Sequence, residues 1–220
     1  TPPLPLTEDP AEHQLLTAVL SGSRKALNWC DDKGNVDFYD MKGIVEGLLE
    51  AMQVSDYTMT RSQQPYLHPG KSCDIIVNGE VIGSFGEVHP VVQENFELDQ
   101  VTYVLEMAVE PLVASVTAVP QYKHLPKLPR MSRDIAVVVP AEVTNAELEQ
   151  VIRAHAGELL HGVRVFDIYT GKQVAAGCKS MAFNLTYQAA DRTLTDAEVD
   201  ASMKKVIAEV AEAYKAKLRD

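Results

Sequence analysis

Three residues of the first half carry side chains that could bind a metal ion. His68, Cys73 and His89 supply imidazole and thiol groups, which are common zinc ligands, but none of their spacings matches a known ligand pattern. Glu87, two positions before His89, could form an acid–base pair with it. A metal-dependent hydrolase is therefore one alternative, and ordinary turn or core histidines are the other.

The first half shows no pattern typical of a nucleotide site. Residues 83–86 (GSFG) are rich in glycine, but they lie on a predicted strand and not at the start of a helix, where phosphates bind. Arg24 and Arg61 are the only arginines before residue 122, so few guanidinium groups are available for phosphates. We predict no catalytic residue and no metal site in this chain.

The second half carries most of the basic residues. The net charge is −11, but residues 1–122 contain 6 Lys+Arg and 18 Asp+Glu, whereas residues 123–220 contain 14 and 13. The two halves cannot share one electrostatic role. Phosphate contacts by these cations, with one or two rings stacked on unpaired bases, would suit a single-stranded RNA loop, although such charges also occur on ordinary solvated surfaces. The basic residues around the predicted sheet are Arg130, Arg133, Arg164, Lys172, Lys179 and Arg192.

The elements of the first half indicate a mixed α+β fold. Apolar residues recur at helical spacing over residues 41–52, with Asp40 as the predicted N-cap. Two apolar runs flank Asn78-Gly79, the strongest short hairpin signal, and predict an antiparallel sheet. Pro90 suits the first turn of a short helix, and residues 101–109 are predicted as a further strand.

A proline-rich stretch separates the two halves. Residues 119–130 contain three prolines and show no helical or strand period. Each proline biases its predecessor toward extended backbone, which predicts a semi-rigid connector. We place the boundary near Gln121, with domains of residues 1–120 and 121–220.

The second half follows the order β-α-β-β-α, with residues 216–219 as a candidate last edge strand. Its first strand, residues 133–139, is a β-branched run that ends at Pro140. Residues 144–147 and 195–198 have capping-box spacing, and each starts a predicted helix. This order predicts a ferredoxin-like domain, in which the helices cover one face of the sheet.

The third predicted strand of this domain indicates which side chains lie on the sheet face that the helices do not cover. Met181, Phe183, Leu185 and Tyr187 alternate with small and polar residues, so the large set is expected to face the helices. The other face is then predicted to be small and polar. An RNA-recognition motif would carry aromatic residues outward, and residues 179–186 match its string at only three places. The sequence argues against that motif but not against the fold.

The cysteines and the hydropathy indicate the cellular compartment of the protein. Cys30, Cys73 and Cys178 are far apart and form no CxxC pair, which argues against a disulfide framework and favours a reducing cytoplasm. No apolar run approaches the roughly 20 residues that cross a bilayer. We expect a cytoplasmic protein with no membrane partner. Because the chain starts at Thr1 without a methionine, we also expect it to be part of a longer protein.

Several strings of the chain resemble a known family. Those of the second half resemble the ferredoxin-fold anticodon-binding domain at the C-terminus of the bacterial phenylalanyl-tRNA synthetase beta subunit. Those of the first half resemble the end of that subunit's catalytic-like module, an inactive class II synthetase fold with an antiparallel sheet. The matching positions are residues 20–24 (LSGSR), Trp29, 37–43 (DFYDMKG), 68–72 (HPGKS), 86–90 (GEVHP), 129–136 (PRMSRDIA), 166–171 (FDIYTG), 179–183 (KSMAF) and 192–199 (RTLTDAEV).

The resemblance implies a function and a set of partners. The enzyme resembled is an (αβ)₂ tetramer that attaches phenylalanine to its tRNA with ATP and magnesium, and its active site lies on the alpha subunit. The resemblance implies that this chain holds no cofactor, contributes to subunit assembly and binds the tRNA anticodon stem-loop. The alternative is a free-standing interaction or regulatory protein without tRNA binding.

Four residues inside the matching strings have chemistry suited to RNA. From the resemblance and their side chains, we predict that Arg133, Tyr169, Lys179 and Arg192 contact the anticodon stem-loop.

Overall fold

The chain forms two units, Thr1–Tyr122 and Lys123–Asp220, each with its own hydrophobic core. This computed structural model describes residues 12–25, 29, 34–116, 122 and 128–218. Gln121, most of the proline-rich stretch and Cys30 lie outside the described residues.

The first unit is built on a five-stranded antiparallel sheet with the strand order β1-β5-β4-β3-β2. Asn78 and Gly79 join β3 to β4, and both have positive φ angles (52° and 82°), as a type I′ turn requires. The hairpin predicted at this pair is confirmed. The elements of this unit are β1 (Leu15–Ser21), α1 (Phe38–Ala51), β2 (Tyr57–Arg61), β3 (Leu67–Val77), β4 (Glu80–Val88), α2 (Pro90–Asn95), β5 (Thr102–Ala108) and α3 (Val109–Ala114).

Helix α1 covers one face of this sheet. Its buried residues Met41, Val45 and Leu49 recur every four positions and join the core of the first unit. Asp37, not Asp40, is the N-cap, so that prediction is wrong. The side chain of Asp37 accepts hydrogen bonds from two backbone N–H groups, and Asp40 accepts one from the N–H of Asp37. Both carboxylates belong to one capping box, and the apolar period alone does not tell which of them comes first.

The second unit has a four-stranded antiparallel sheet with the strand order β7-β8-β6-β9. This order and the two connecting helices are those of a ferredoxin-like fold, so the predicted α+β class with antiparallel sheets is confirmed. Both predicted capping boxes form. The elements of this unit are β6 (Met131–Pro140), α4 (Asn145–Ala156), β7 (Leu160–Tyr169), β8 (Cys178–Tyr187), α5 (Asp196–Tyr214) and β9 (Lys217–Leu218).

The second sheet has a helix-facing side and an open face. Met181, Phe183, Leu185 and Tyr187 of β8 are fully buried in a core that includes residues of α4 and α5. The prediction that these four residues face the helices is confirmed. Strand alternation places the intervening small and polar residues of β8 on the opposite side, which we call the open face.

Candidate nucleic-acid interface

The open face of the second unit presents an exposed aromatic ring beside a row of polar side chains. The strand register pairs Arg164 with Asn184, and Asn184 with Asp134, so these three residues form one row across β7, β8 and β6. Phe166 of β7 lies next to this row, and 54% of it is exposed. The face of this ring is therefore accessible for stacking on a ligand.

A β-bulge brings Tyr169 to the same face. Between Val165 and Asp167, β7 carries one residue more than β8, and beyond the bulge Tyr169 pairs with Ser180. Tyr169 lies three positions after Phe166, so strict alternation along β7 would point it to the helices, and the extra residue of the bulge returns it to the open face. The prediction of a small and polar open face is correct for β8 but wrong for β7, because the alternation along β8 carries no information about β7 or its bulge.

A shallow cavity of about 280 Å³ lies on the open face, lined by Asp134, Arg164, Phe166 and Asn184. The side-chain N–H of Asn184 donates to Asp134 Oδ1 at 2.6 Å, which fixes the orientation of the amide. The hydroxyl of Thr186 donates to Asn184 Oδ1 at 3.3 Å. The cavity thus combines a ring for stacking, a guanidinium donor and a carboxylate acceptor. This combination suits an unpaired base and its phosphate.

Two of the four predicted RNA contacts lie at the N-terminal end of α5. Arg133 is on the helix-facing side of β6, and its guanidinium pairs with Asp196 (2.5 Å) and Asp200 (3.2 Å). The hydrogen bonds to these two carboxylates raise the pKa of Arg133. Arg192 pairs with Glu198 at 2.6 Å. The structure therefore brings these two arginines to one end of one helix, where acidic side chains already neutralise them.

The other two predicted contacts are placed apart. Lys179 pairs across the sheet with Val139, on the helix-facing side. Tyr169 is on the open face, where its ring covers Gly171 so closely that a Cβ at this glycine would overlap the hydroxyl. Only Tyr169 of the predicted set shares the open face with Arg164 and Phe166. The sequence analysis does not pair Arg164 with Phe166, although their i, i+2 spacing predicts that the two side chains share one face of a strand.

The ion pair between Arg192 and Glu198 predicts a pH-dependent stability. The hydrogen bond from Arg192, followed by those from Thr195, lowers the pKa of Glu198 from 4.5 to about 2. Because the folded-state pKa lies below the unfolded one, this contribution is fully present above pH 4.5 and is lost as the pH falls toward 2. We expect Glu198→Gln to lower the free energy of unfolding near neutral pH, and the difference from the wild type to shrink through that window. Urea unfolding at several pH values measures it, and a difference that does not depend on pH would contradict the assignment.

Two family models match the chain. Residues 3–109 match the model of the phenylalanyl tRNA synthetase beta chain CLM domain, and residues 126–219 match the ferredoxin-fold anticodon binding domain. The phenylalanine–tRNA ligase beta subunit of Shouchella clausii (strain KSM-K16) is 42% identical over 215 residues, 97% of this chain. The chain belongs to the phenylalanyl-tRNA synthetase beta chain family. The resemblance predicted from the strings of both halves is confirmed.

Other members of the synthetase beta chain family show similar identities. The beta subunit of Symbiobacterium thermophilum is 40% identical over 210 residues (96% of this chain), and that of Bacillus subtilis (strain 168) is 39% identical over 211 residues (96%). The match covers 26% of the Shouchella and Bacillus proteins and 23% of the Symbiobacterium protein. The chain therefore spans about a quarter of the length of these relatives. The residues that match the anticodon-binding domain include the whole open face.

The candidate metal ligands of this chain have separate structural roles. His68 Nδ1 accepts a hydrogen bond from the N–H of Gly70, and His89 Nδ1 accepts one from the N–H of Val91 at the start of α2. Cys73 is half-buried against the first core, and burial raises the pKa of its thiol. In the part of the chain that the structure describes, no group of three or more His, Cys, Asp or Glu side chains is placed to hold a metal ion.

The helices of the described ranges are 6 to 19 residues long. None of them is both long enough and apolar enough to span a membrane.

Proposed function

We propose that the second unit binds the anticodon stem-loop of a phenylalanine tRNA through its open face. The observation that carries this proposal is the exposed ring of Phe166 beside Arg164, inside the residues that match the anticodon-binding domain. Unpaired bases stack on aromatic rings, and guanidinium groups bind phosphates through bidentate hydrogen bonds. An anticodon loop offers both unpaired bases and phosphates, so this pair of side chains supports such a ligand.

Tyr169 is proposed as a second ring on the same face. Arg133, Lys179 and Arg192 stay predicted contacts to the anticodon stem-loop. Their positions on the helix-facing side and at the end of α5 support a structural role more directly, because each arginine would have to exchange a carboxylate for a phosphate. Such an exchange costs the hydrogen bonds that each guanidinium now donates to carboxylates of α5.

The remaining proposals concern the whole ligase. We propose that this chain acts in the cytoplasm as part of a phenylalanine–tRNA ligase, with residues 1–120 as an assembly domain and residues 121–220 as the tRNA-binding domain. The partner is an alpha subunit, in an (αβ)₂ assembly that uses ATP and magnesium. The described residues of this chain do not fit a magnesium site, since their acidic and histidine side chains form no suitable cluster. The names of the relatives support the ligase assignment.

The decisive experiment removes one ring from the open face. We expect Phe166→Ala to weaken binding of a phenylalanine tRNA transcript about fivefold or more, because one base–aromatic stack is worth about 1–3 kcal/mol. Fluorescence anisotropy of labelled tRNA, titrated with the chain at low and high salt, measures this. Wild-type binding should weaken as salt rises, because phosphate contacts release counterions. A flat signal for the wild type would favour the free-standing module without tRNA binding.

Matched controls separate the open face from the rest of the surface. Phe96→Ala removes a ring that is 74% exposed on the first unit, and it should leave tRNA binding unchanged. Arg164→Ala should weaken binding and reduce its salt dependence by about one phosphate contact. A greater loss for Arg192→Ala than for Arg164→Ala would move the interface to the end of α5.

A further inference from the structure

The sheet of the first unit has a second face, opposite α1. Helix α1 packs against Ile75, Phe85 and Leu105, so the residues that alternate with these three point to the other side. The register aligns one residue of each strand into a continuous line across that side. This line, which we call the polar row, consists of Thr60, Asp74, Ser84, Glu106 and Thr17.

A cavity of about 190 Å³ lies beside the polar row. Leu15 and Val81, each more than half exposed, and the half-buried ring of Tyr66 form its walls. Glu106 and Ser84 bring the polar row into the cavity. It is smaller than the roughly 300 Å³ at which small-molecule sites begin, but it can hold one long side chain.

The cavity is electrically negative. Burial raises the pKa of the Tyr66 hydroxyl, and the charges of Glu106 and Asp74 raise it further, so both carboxylates act on that hydroxyl. Ser84 donates a hydrogen bond of 2.7 Å to Asp74, which leaves the charge of Asp74 in place. Within the described ranges, neither carboxylate forms a salt bridge. Residues 1–122 contain 12 more acidic than basic residues, and this excess strengthens the negative electrostatic field at the cavity.

We propose that this face docks a protein partner that inserts an arginine side chain into the cavity. The charge complementarity requires a cation, and a guanidinium can bond a carboxylate while its plane stacks on the ring of Tyr66. Lysine offers a point charge without this planar geometry. Leu15 and Val81 suit apolar side chains on either side of the arginine. The proposal concerns the first unit and does not depend on tRNA binding by the second.

The test uses two blocked tripeptides, Leu-Arg-Leu and Leu-citrulline-Leu, which have nearly the same shape but differ by one charge. Each is titrated into the full 220-residue chain, and amide chemical shifts are followed by NMR. We expect the arginine peptide to shift signals of Tyr66, Ser84 and Glu106. The citrulline peptide should bind about tenfold more weakly, since a charge-assisted hydrogen bond is lost. Equal affinity for the two peptides would overturn the proposal.

Variants assign the effect to one carboxylate. Glu106→Gln should weaken binding of the arginine peptide about tenfold and leave binding of the citrulline peptide unchanged. Glu94→Gln, an exposed carboxylate on α2, is the matched control and should change neither. Agmatine carries the guanidinium without flanking apolar residues. If it bound as tightly as the arginine peptide, the site would be one for small amines and the docking proposal would fail. Self-association of the chain that Glu106→Gln abolishes would make the occupant a second copy and would also refute it.

Discussion

Phe183→Ala is expected to lower the free energy of unfolding of the second unit by about 3–5 kcal/mol. Phe183 is fully buried, and in the sheet it lies between Ile135 of β6 and Val165 of β7. Removing the ring loses its transfer free energy and leaves a cavity that close-packed neighbours fill only in part. Urea unfolding followed by circular dichroism measures the change as a lower midpoint at unchanged slope.

Phe166→Ala is the matched control, because it makes the same chemical change on the opposite face of the same sheet. Phe166 is largely exposed, so we expect its removal to cost less than about 1 kcal/mol of stability. Under conditions in which the Phe183→Ala variant remains folded, its affinity for tRNA should equal that of the wild type. Equal destabilisation by the two variants would show that the two faces of the sheet are assigned wrongly.

The fold of the second unit could be predicted because its strongest signals are local. Thr144 with Glu147, and Thr195 with Glu198, satisfy backbone N–H groups within one helical turn, so their spacing indicates where each helix starts. The β-turn at Asn78-Gly79 in the first unit is local in the same sense.

The candidate site was harder to predict because it depends on contacts between distant segments. The bulge in β7 decides which face Tyr169 joins, and it is defined only by the pairing of β7 with β8. The sequence predicts Arg133 as an RNA contact, yet its guanidinium bonds Asp196 and Asp200, which lie more than sixty positions later in the chain. The sequence shows that acidic residues lie near the start of the predicted helix α5. It does not show which strand carries the arginine that pairs with them.

Leu49→Asp is expected to abolish the cooperative unfolding of the first unit. Leu49 of α1 is fully buried in a core that also includes Met41 and Val45. An ionised carboxylate there has no partner, and its burial costs several kcal/mol, a large part of the roughly 5–15 kcal/mol that stabilises a domain. Circular dichroism during thermal unfolding measures the loss. Because the second unit has its own core, its transition should persist in the variant.

Ile44→Asp is the control on the same helix. The apolar period of α1 groups Ile44 with Leu49, but Ile44 is 45% exposed, and a carboxylate there stays in water. We expect its transition to shift by only a few degrees, as for a surface substitution. The contrast tests which side of α1 meets the sheet. Loss of the transition in both variants would mean that the helix buries a wider face than the structure has. A cooperative unfolding transition of the first unit that persists in Leu49→Asp would mean that Leu49 is not part of the core of this unit.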